Sequence, residues 1–155
     1  MKEFSDNTGR TWAVTVNVAV VKRVHSLLGV HLGDVVGGNL AQRMIDDPVL
    51  MVDVIFAILK PEADERGVDD EEFARSMGGD ALDIAMDAFL DEMVNEYLPP
   101  TKARLFAKAM TKYRAMMDQV ASRAEKLIDS GDLERQLLEQ MDQELDATKL
   151  MSGGD

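Results

Sequence analysis

The sequence predicts a mainly α fold, in which a small N-terminal β-hairpin packs on a multi-helix domain and a long C-terminal helical hairpin follows. Two observations carry this prediction. Apolar residues recur at three- and four-residue spacing through most of the chain, and two-residue alternation is confined to its beginning. The predicted domains cover residues 1–99 and 100–150, and residues 151–155 form a flexible tail.

The first predicted element is a β-hairpin with strands at Phe4–Asp6 and Thr11–Val16. Every other residue of the second strand is apolar, beginning with Trp12, which gives that strand one apolar face. The turn is Asp6–Gly9, since Asn and Gly tolerate the positive φ that hairpin turns need. A lone hairpin is marginal in water. It must therefore lie on helices or pair with another copy.

The first helix is predicted to begin after a cap at Asn17 and to end at Gly29. Its β-branched residues make continuation of the strand a rival, and the three-four spacing of its valines and leucines favours the helix. Asn39 is predicted to cap a short helix through Met44.

The dipeptide Asp47-Pro48 is a helix start signal, with a cap followed by proline at the first helical position. The run VLMVDVIFAIL that follows is apolar nearly all round, which predicts a central buried helix. Pro61 is predicted to end this helix, and Glu62–Gly67 to link it to the next.

The stretch from Val68 to Pro100 is predicted to contain two helices. Asp69 is the expected cap of the first, with Glu72 as the reciprocal cap and a hydrophobic staple between Val68 and Phe73. Gly78-Gly79 interrupts the helix, and Asp80 is the expected cap of the second. Pro99 and Pro100 stop it.

Beyond the two prolines, one long helix is predicted over Thr101–Asp129, with a heptad seam of apolar residues spaced alternately four and three apart. Ser130-Gly131 breaks it, and Asp132 caps a last helix. An alternative is that the long helix lies on the first domain. The predicted partner or self-contact face comprises Phe106, Met110, Tyr113, Met117, Val120, Leu133, Leu137 and Met141.

Charge is abundant and unevenly placed. The net charge of −12 argues against nucleic-acid binding, because phosphates would be repelled. Residues 62–96 hold thirteen acids and two bases, whereas residues 101–126 hold seven bases and two acids. The two regions either face each other, within one chain or between copies, or form two solvated surfaces of opposite sign.

The sequence predicts a soluble, cytoplasmic protein. The polar N-terminus lacks the apolar core of a signal peptide. The longest apolar-rich runs are too short and too charged to span a bilayer. No cysteine is present, so disulfides and thiolate chemistry are excluded.

No pattern of catalytic or metal-binding residues stands out, and we expect no catalytic residue, no cofactor and no metal site. His25 and His31 are six residues apart, whereas helical metal pairs usually lie three or four apart. Asp53 is more simply an edge-facing carboxylate than a catalytic one. The acidic ladder of Asp80, Asp83, Asp87 and Asp91 lacks the histidines of a di-metal bundle.

The order of motifs in residues 4–99 resembles that of the tail assembly chaperones of long-tailed bacteriophages and prophages. The resembling features are F-S-D-N-T-G-R-T-W, V-K-R-V-x-x-L-L-G-V-x-L, D-D-P-V-L-x-V-D-V-I, G-V-D-D-E-E-F-x-x-x-M-x-G-D-A-L-D-x-A and A-F-L-D-E-M-V-x-E-Y-L-P. These motifs are structural rather than catalytic, and the segment after Pro99 is not matched.

The resemblance implies a non-enzymatic protein that coats the helical tape measure protein, keeps it soluble and helps to recruit the tail tube protein. It also implies a homo-oligomer. Methionine-rich helices, which accept varied helical partners, are compatible with this function. The alternative from another class is a small acidic self-associating adaptor or regulator of unknown partner.

Overall fold

The computed structural model describes residues 1–152, apart from the side chains of Leu133, Met151 and Ser152. The predicted mainly α fold with an N-terminal β-hairpin is confirmed. A 3₁₀ helix spans Leu32–Val35 and a π-helix spans Met93–Tyr97. The strands and α-helices are β1 (Lys2–Ser5), β2 (Thr11–Val14), α1 (Val18–Leu28), α2 (Leu40–Asp46), α3 (Pro48–Arg66), α4 (Asp70–Arg75), α5 (Asp80–Glu92), α6 (Pro100–Asp129) and α7 (Asp132–Ser152).

The hairpin packs on helices of its own chain. Its strands are antiparallel, with Phe4 paired to Trp12. Strand β1 lies against α5, and β2 lies against α3. Phe4, Trp12 and Val14 are all buried, which is the apolar face that the alternation predicts. Because this face is covered within the chain, the hairpin needs no second copy.

Helix α3 is the centre of the first compact unit, Met1–Lys108. It packs against α1, α2, α4, α5 and β2. Val54, Ile55 and Leu59 have almost no exposed surface, as the apolar run predicts. The N-cap is also as expected, since the Asp47 carboxylate accepts from the backbone N–H groups of Val49 and Leu50.

The predicted end of α3 at Pro61 is wrong, because the helix continues to Arg66 and ends at Gly67, which has a φ of 66°. A proline inside a helix removes one N–H and leaves the carbonyl four residues earlier without its partner. Here that carbonyl belongs to Ala57. The Arg23 guanidinium donates to it at 3.3 Å and to the carbonyl of Ile58 at 3.0 Å. Arg23 thus replaces the lost donor.

Replacing Arg23 with methionine is expected to lower the free energy of unfolding by about 1–3 kcal/mol, because the buried carbonyls lose their charged donor. Methionine keeps an apolar stem of similar reach, so the loss reports chiefly on the donor. Urea denaturation measures the change. The matched control is Lys22→Met on the exposed neighbouring position, which is expected to stay within about 0.5 kcal/mol of the parent. An equal effect at both positions would contradict the explanation.

The caps of α4 and α5 agree with the sequence in part. Asp69 caps α4 by accepting from the N–H of Glu72 at 2.8 Å. The reciprocal cap from Glu72 is not formed, because its carboxylate accepts from Arg10 instead, at 3.0 Å. Asp80 is the first residue of α5 and Gly79 precedes it as the cap, with a φ of 54°. The predicted cap at Asp80 is therefore one residue late.

A buried carboxylate ties the end of α5 to the hairpin. Glu92 is 1% exposed, and its Oε1 accepts from the N–H of Val16 at 3.2 Å. Its Oε2 lies 2.9 Å from the α-ammonium group of Met1, an ion pair without a well-aligned hydrogen bond. Glu92 is compensated by charge and hydrogen bonding together, as a buried carboxylate must be.

The second compact unit begins at Ala109, inside α6. The reason is that Ala103 and Phe106 are buried, so the first turns of α6 belong to the first unit. The break at Ser130-Gly131 is confirmed. Helix α7 extends to Ser152, into the predicted tail. Residues 153–155 of that tail lie outside the described residues.

None of the helices described has the combination of length and apolar character that crossing a membrane requires.

Candidate functional site

Large apolar side chains lie exposed along the second compact unit. Every described side chain of α6 beyond Tyr113 is exposed, and so is every described side chain of α7. We call the larger apolar members of this set the apolar stripe. Its exposed members are Met116, Met117, Val120, Leu127, Ile128, Leu137, Leu138, Met141, Leu145 and Leu150.

Four of the eight residues of the predicted contact face lie on this stripe. Met117, Val120, Leu137 and Met141 are between 44% and 58% exposed. Their placement on a free surface is what a contact face needs, although their role stays a prediction.

Three positions of the predicted face differ from the rest, and a fourth is not described. Phe106 is 4% exposed and belongs to the core of the first unit, so it does not lie on the stripe. The reason is that the seam spacing continues into the turns of α6 that pack on that unit. Met110 and Tyr113 are half-buried. The side chain of Leu133 lies outside the described residues.

The stripe is exposed because α6 and α7, as far as the structure describes them, do not pack along each other. The two helices of the predicted C-terminal hairpin exist, but their seam positions are not covered. Heptad spacing buries side chains only when a second helix supplies the facing residues. Large exposed apolar side chains that recur along a helix make it a candidate interaction surface.

Seven exposed apolar residues of α6 and α7 are absent from the predicted contact face. They are Leu105, Met116, Leu127, Ile128, Leu138, Leu145 and Leu150. Leu105, Met116 and Ile128 lie outside the a and d positions of the heptad seam, so its periodicity did not single them out. The available signal was the apolar residue next to a seam position, as in the pair Met116-Met117. Such pairs widen an apolar surface beyond a two-helix seam.

A second feature is a cleft of about 580 Å³ in the first unit. Its apolar floor is formed by Leu27 and Leu28 at the C-terminal end of α1 and by Phe56 and Ala57 on α3. Leu27 and Leu28 are 53% and 38% exposed. The volume lies within the range of binding clefts.

The rim of the cleft is acidic. Asp53, Asp64, Asp69 and Asp70 line it beside a single base, Lys60. Lys60 forms an ion pair with Asp64, and the Asp69 carboxylate caps α4. Within residues 1–152, the side-chain carboxylate of Asp53 makes no hydrogen bond or ion pair. Desolvation raises the pKa of Asp53, and repulsion by Asp70 and Asp47 raises it further.

The titratable side chains around the cleft are four aspartates and Lys60, and neither histidine nor a serine lines it. His25 and His31 stack with their ring centroids 4.1 Å apart, on an exposed surface. In the described part of the chain, no group of three or more histidines and carboxylates is arranged to hold a metal ion.

Comparison of the chain with protein-family models, with curated proteins and with solved structures gives no match. Any functional argument therefore depends on the motifs and on the two surfaces described above.

Proposed function

We propose that this protein is a non-enzymatic tail assembly chaperone of a long-tailed bacteriophage or prophage. In this proposal it acts in the cytoplasm of the bacterial host, binds the helical tape measure protein, keeps it soluble and helps to recruit tail tube subunits. The observation that carries the proposal is the apolar stripe on α6 and α7. The resemblance of residues 4–99 to that family supplies the identity of the partner.

The apolar stripe supports binding of a long helix. A partner helix with its own apolar seam would remove these side chains from water, at about 25 cal/mol for each Å² of apolar surface buried. Met116, Met117 and Met141 are flexible and polarisable, so they adapt to partner surfaces of varied shape. A chaperone that must cover different segments of one long protein needs this tolerance.

The net charge supports the same proposal. A chain that carries −12 repels its own copies at long range and raises the solubility of what it coats. The acids are densest in residues 62–96, and residues 132–152 hold a further six acids and two bases beside their part of the stripe.

The test is co-expression with the long helical protein encoded nearest downstream, with the soluble and co-purifying fraction of that protein as the readout. The parent chain is expected to keep it soluble. The variant Met117→Glu/Val120→Glu is expected to reduce the co-purified amount at least ~10-fold, because two charges would be buried without partners.

The matched control is Gln119→Glu/Ser122→Glu, which adds the same charge to exposed positions on the opposite side of α6. It is expected to behave like the parent chain, and circular dichroism checks that both variants remain helical. If the stripe variant keeps the downstream protein as soluble as the parent does, the stripe is not the binding surface. If the parent chain itself fails to bind, the chaperone function is contradicted.

The alternative function is that of a small self-associating adaptor, and the same stripe favours it. A second copy provides helices of the same heptad spacing, so two stripes can cover each other. A defined oligomer that dissociates in Met117→Glu/Val120→Glu, together with a downstream protein that stays insoluble beside the parent chain, would support the adaptor.

A further inference from the structure

The cleft of the first unit has no part in the proposed function, yet its composition specifies an occupant. Leu27, Leu28 and Phe56 offer an apolar floor, and the two leucines are substantially exposed. An apolar group that covered these exposed leucines would remove their side chains from water, which is favourable. The floor therefore selects an apolar side chain.

The rim adds a requirement for positive charge. Asp53 stands without a partner among the described residues, and Asp69 and Asp70 add two more negative charges. Lys60 is already paired with Asp64. A positive group beside Asp53 would relieve the repulsion that Asp70 exerts on it. The occupant is thus a segment that presents an apolar side chain next to a base.

One such segment lies in this chain, in the first turns of α6. Ala103 and Phe106 form the buried side of these turns. Leu105, which is 60% exposed, and Lys108 project from the opposite side, three residues apart and therefore adjacent on the helix surface. In the described structure Lys108 makes no ion pair.

We propose that the cleft binds the Leu105–Lys108 side of α6 from a second copy of this chain, with Leu105 on the leucine floor and Lys108 beside Asp53. The contact joins two different surfaces of the first unit, so it is isologous when two copies make it reciprocally and heterologous when it runs head to tail. Two copies can each place α6 in the cleft of the other, which gives a dimer. Alternatively, each copy can place α6 in the cleft of the next copy, which gives a head-to-tail chain. This inference does not depend on the tape measure protein as partner.

The experiment is sedimentation velocity of the full chain at several concentrations and two salt concentrations. Self-association is expected at both salt concentrations, because salt screens the attraction between Lys108 and Asp53 and the repulsion between two chains of −12 alike. Asp53→Lys and Lys108→Glu are each expected to raise the dissociation constant ~10-fold or more, because opposite charges become like charges. The combined variant restores an opposite pair and is expected to return within ~3-fold of the parent.

Two controls change the charge equally at exposed positions away from the cleft. They are Asp91→Lys and Lys22→Glu, and both are expected to associate like the parent chain. Restoration by the combined variant separates a direct contact from a general effect of net charge. A chain that stays monomeric, or an association that neither Asp53→Lys nor Lys108→Glu weakens, would overturn the proposal.

Crosslinking provides a second measurement, since the chain contains no cysteine. Asp53→Cys and Lys108→Cys are made in separate chains, mixed and oxidised. The mixed disulfide dimer is expected to exceed that formed when Lys108→Cys is mixed with Asp91→Cys. Equal yields would also overturn the proposal. If Met117→Glu/Val120→Glu abolishes association and Asp53→Lys does not, the cleft contact is excluded while the apolar stripe remains a contact surface.

Discussion

Replacing Asp6 with alanine is expected to lower the free energy of unfolding by about 3 kcal/mol, because it removes the acceptor of one buried donor and several part-buried donors at once. The Asp6 side chain is fully buried in the hairpin turn. It accepts from the N–H and hydroxyl of Thr8, from the backbone and side chain of Arg10, and from the indole Nε1 of Trp12 at 2.9 Å. Without Asp6, the indole N–H of a completely buried tryptophan has no acceptor.

The contribution of Asp6 to the free energy of unfolding is expected to depend on pH. Burial of the carboxylate raises its pKa, but the hydrogen bonds from Thr8, Trp12 and Arg10 outweigh burial and hold the pKa of Asp6 well below its usual range. The unfolded chain therefore takes up a proton before the folded chain does as pH falls. The stabilisation is complete above the unfolded pKa of about 3.9 and is lost progressively below it.

The pH dependence is measured by urea denaturation between pH 3 and pH 7, with Asp6→Asn as the variant and Glu3→Gln as the control. Glu3 lies in the same hairpin but is exposed. The difference between the parent chain and Asp6→Asn is expected to be largest near neutral pH and to shrink on acidification, while Glu3→Gln stays close to the parent. A difference that is constant over this range would contradict the assignment of the low pKa to Asp6.

Local signals in the sequence predicted most helix boundaries, because they act through backbone groups a few residues away. The side chains of Asn17, Asp47 and Asp69 accept the hydrogen bonds expected of N-caps. Gly29 ends α1 in the left-handed conformation that glycine favours, as predicted. Such signals need no knowledge of the tertiary structure.

The failures have a common physical cause, which is compensation from a distant part of the chain. Pro61 does not end α3 because Arg23 on α1 supplies the missing donor. Glu72 does not close the capping box because Arg10 of the hairpin turn competes for its carboxylate. Periodicity and local propensity contain no information about either partner.

The two candidate surfaces also differ in whether local sequence signals could predict them. The apolar stripe follows from heptad spacing in one continuous segment, so the sequence predicted Met117, Val120, Leu137 and Met141 as contact residues. The cleft combines the end of α1, one side of α3 and the residues before α4. Its members are far apart in sequence, and only the packing of α1 on α3 brings them together.

Replacing Phe73 with alanine is expected to lower the free energy of unfolding by about 4 kcal/mol, which is typical of a fully buried phenylalanine whose cavity cannot collapse. Phe73 has no exposed surface. Its ring lies edge-on to Trp12, with centroids 5.6 Å apart at 89°, and 5.5 Å from the ring of Phe56. Through these contacts α4 joins the hairpin to α3, so the cavity would open where the elements of the first unit converge.

Trp12 is the only tryptophan of the chain, and its fluorescence during urea denaturation therefore measures this loss directly. The first control is Phe73→Leu, which keeps most of the buried volume and is expected to cost less than about 2 kcal/mol. The second is Val49→Ala at a 70% exposed position, which is expected to stay within about 0.5 kcal/mol of the parent chain. If Phe73→Ala cost no more than Phe73→Leu, the site would be able to collapse, and the aromatic contacts would not fix the hairpin on α3. An effect confined to Phe73→Ala, with the Trp12 emission shifted before the cooperative transition, would instead show that the hairpin detaches once its aromatic partner is removed.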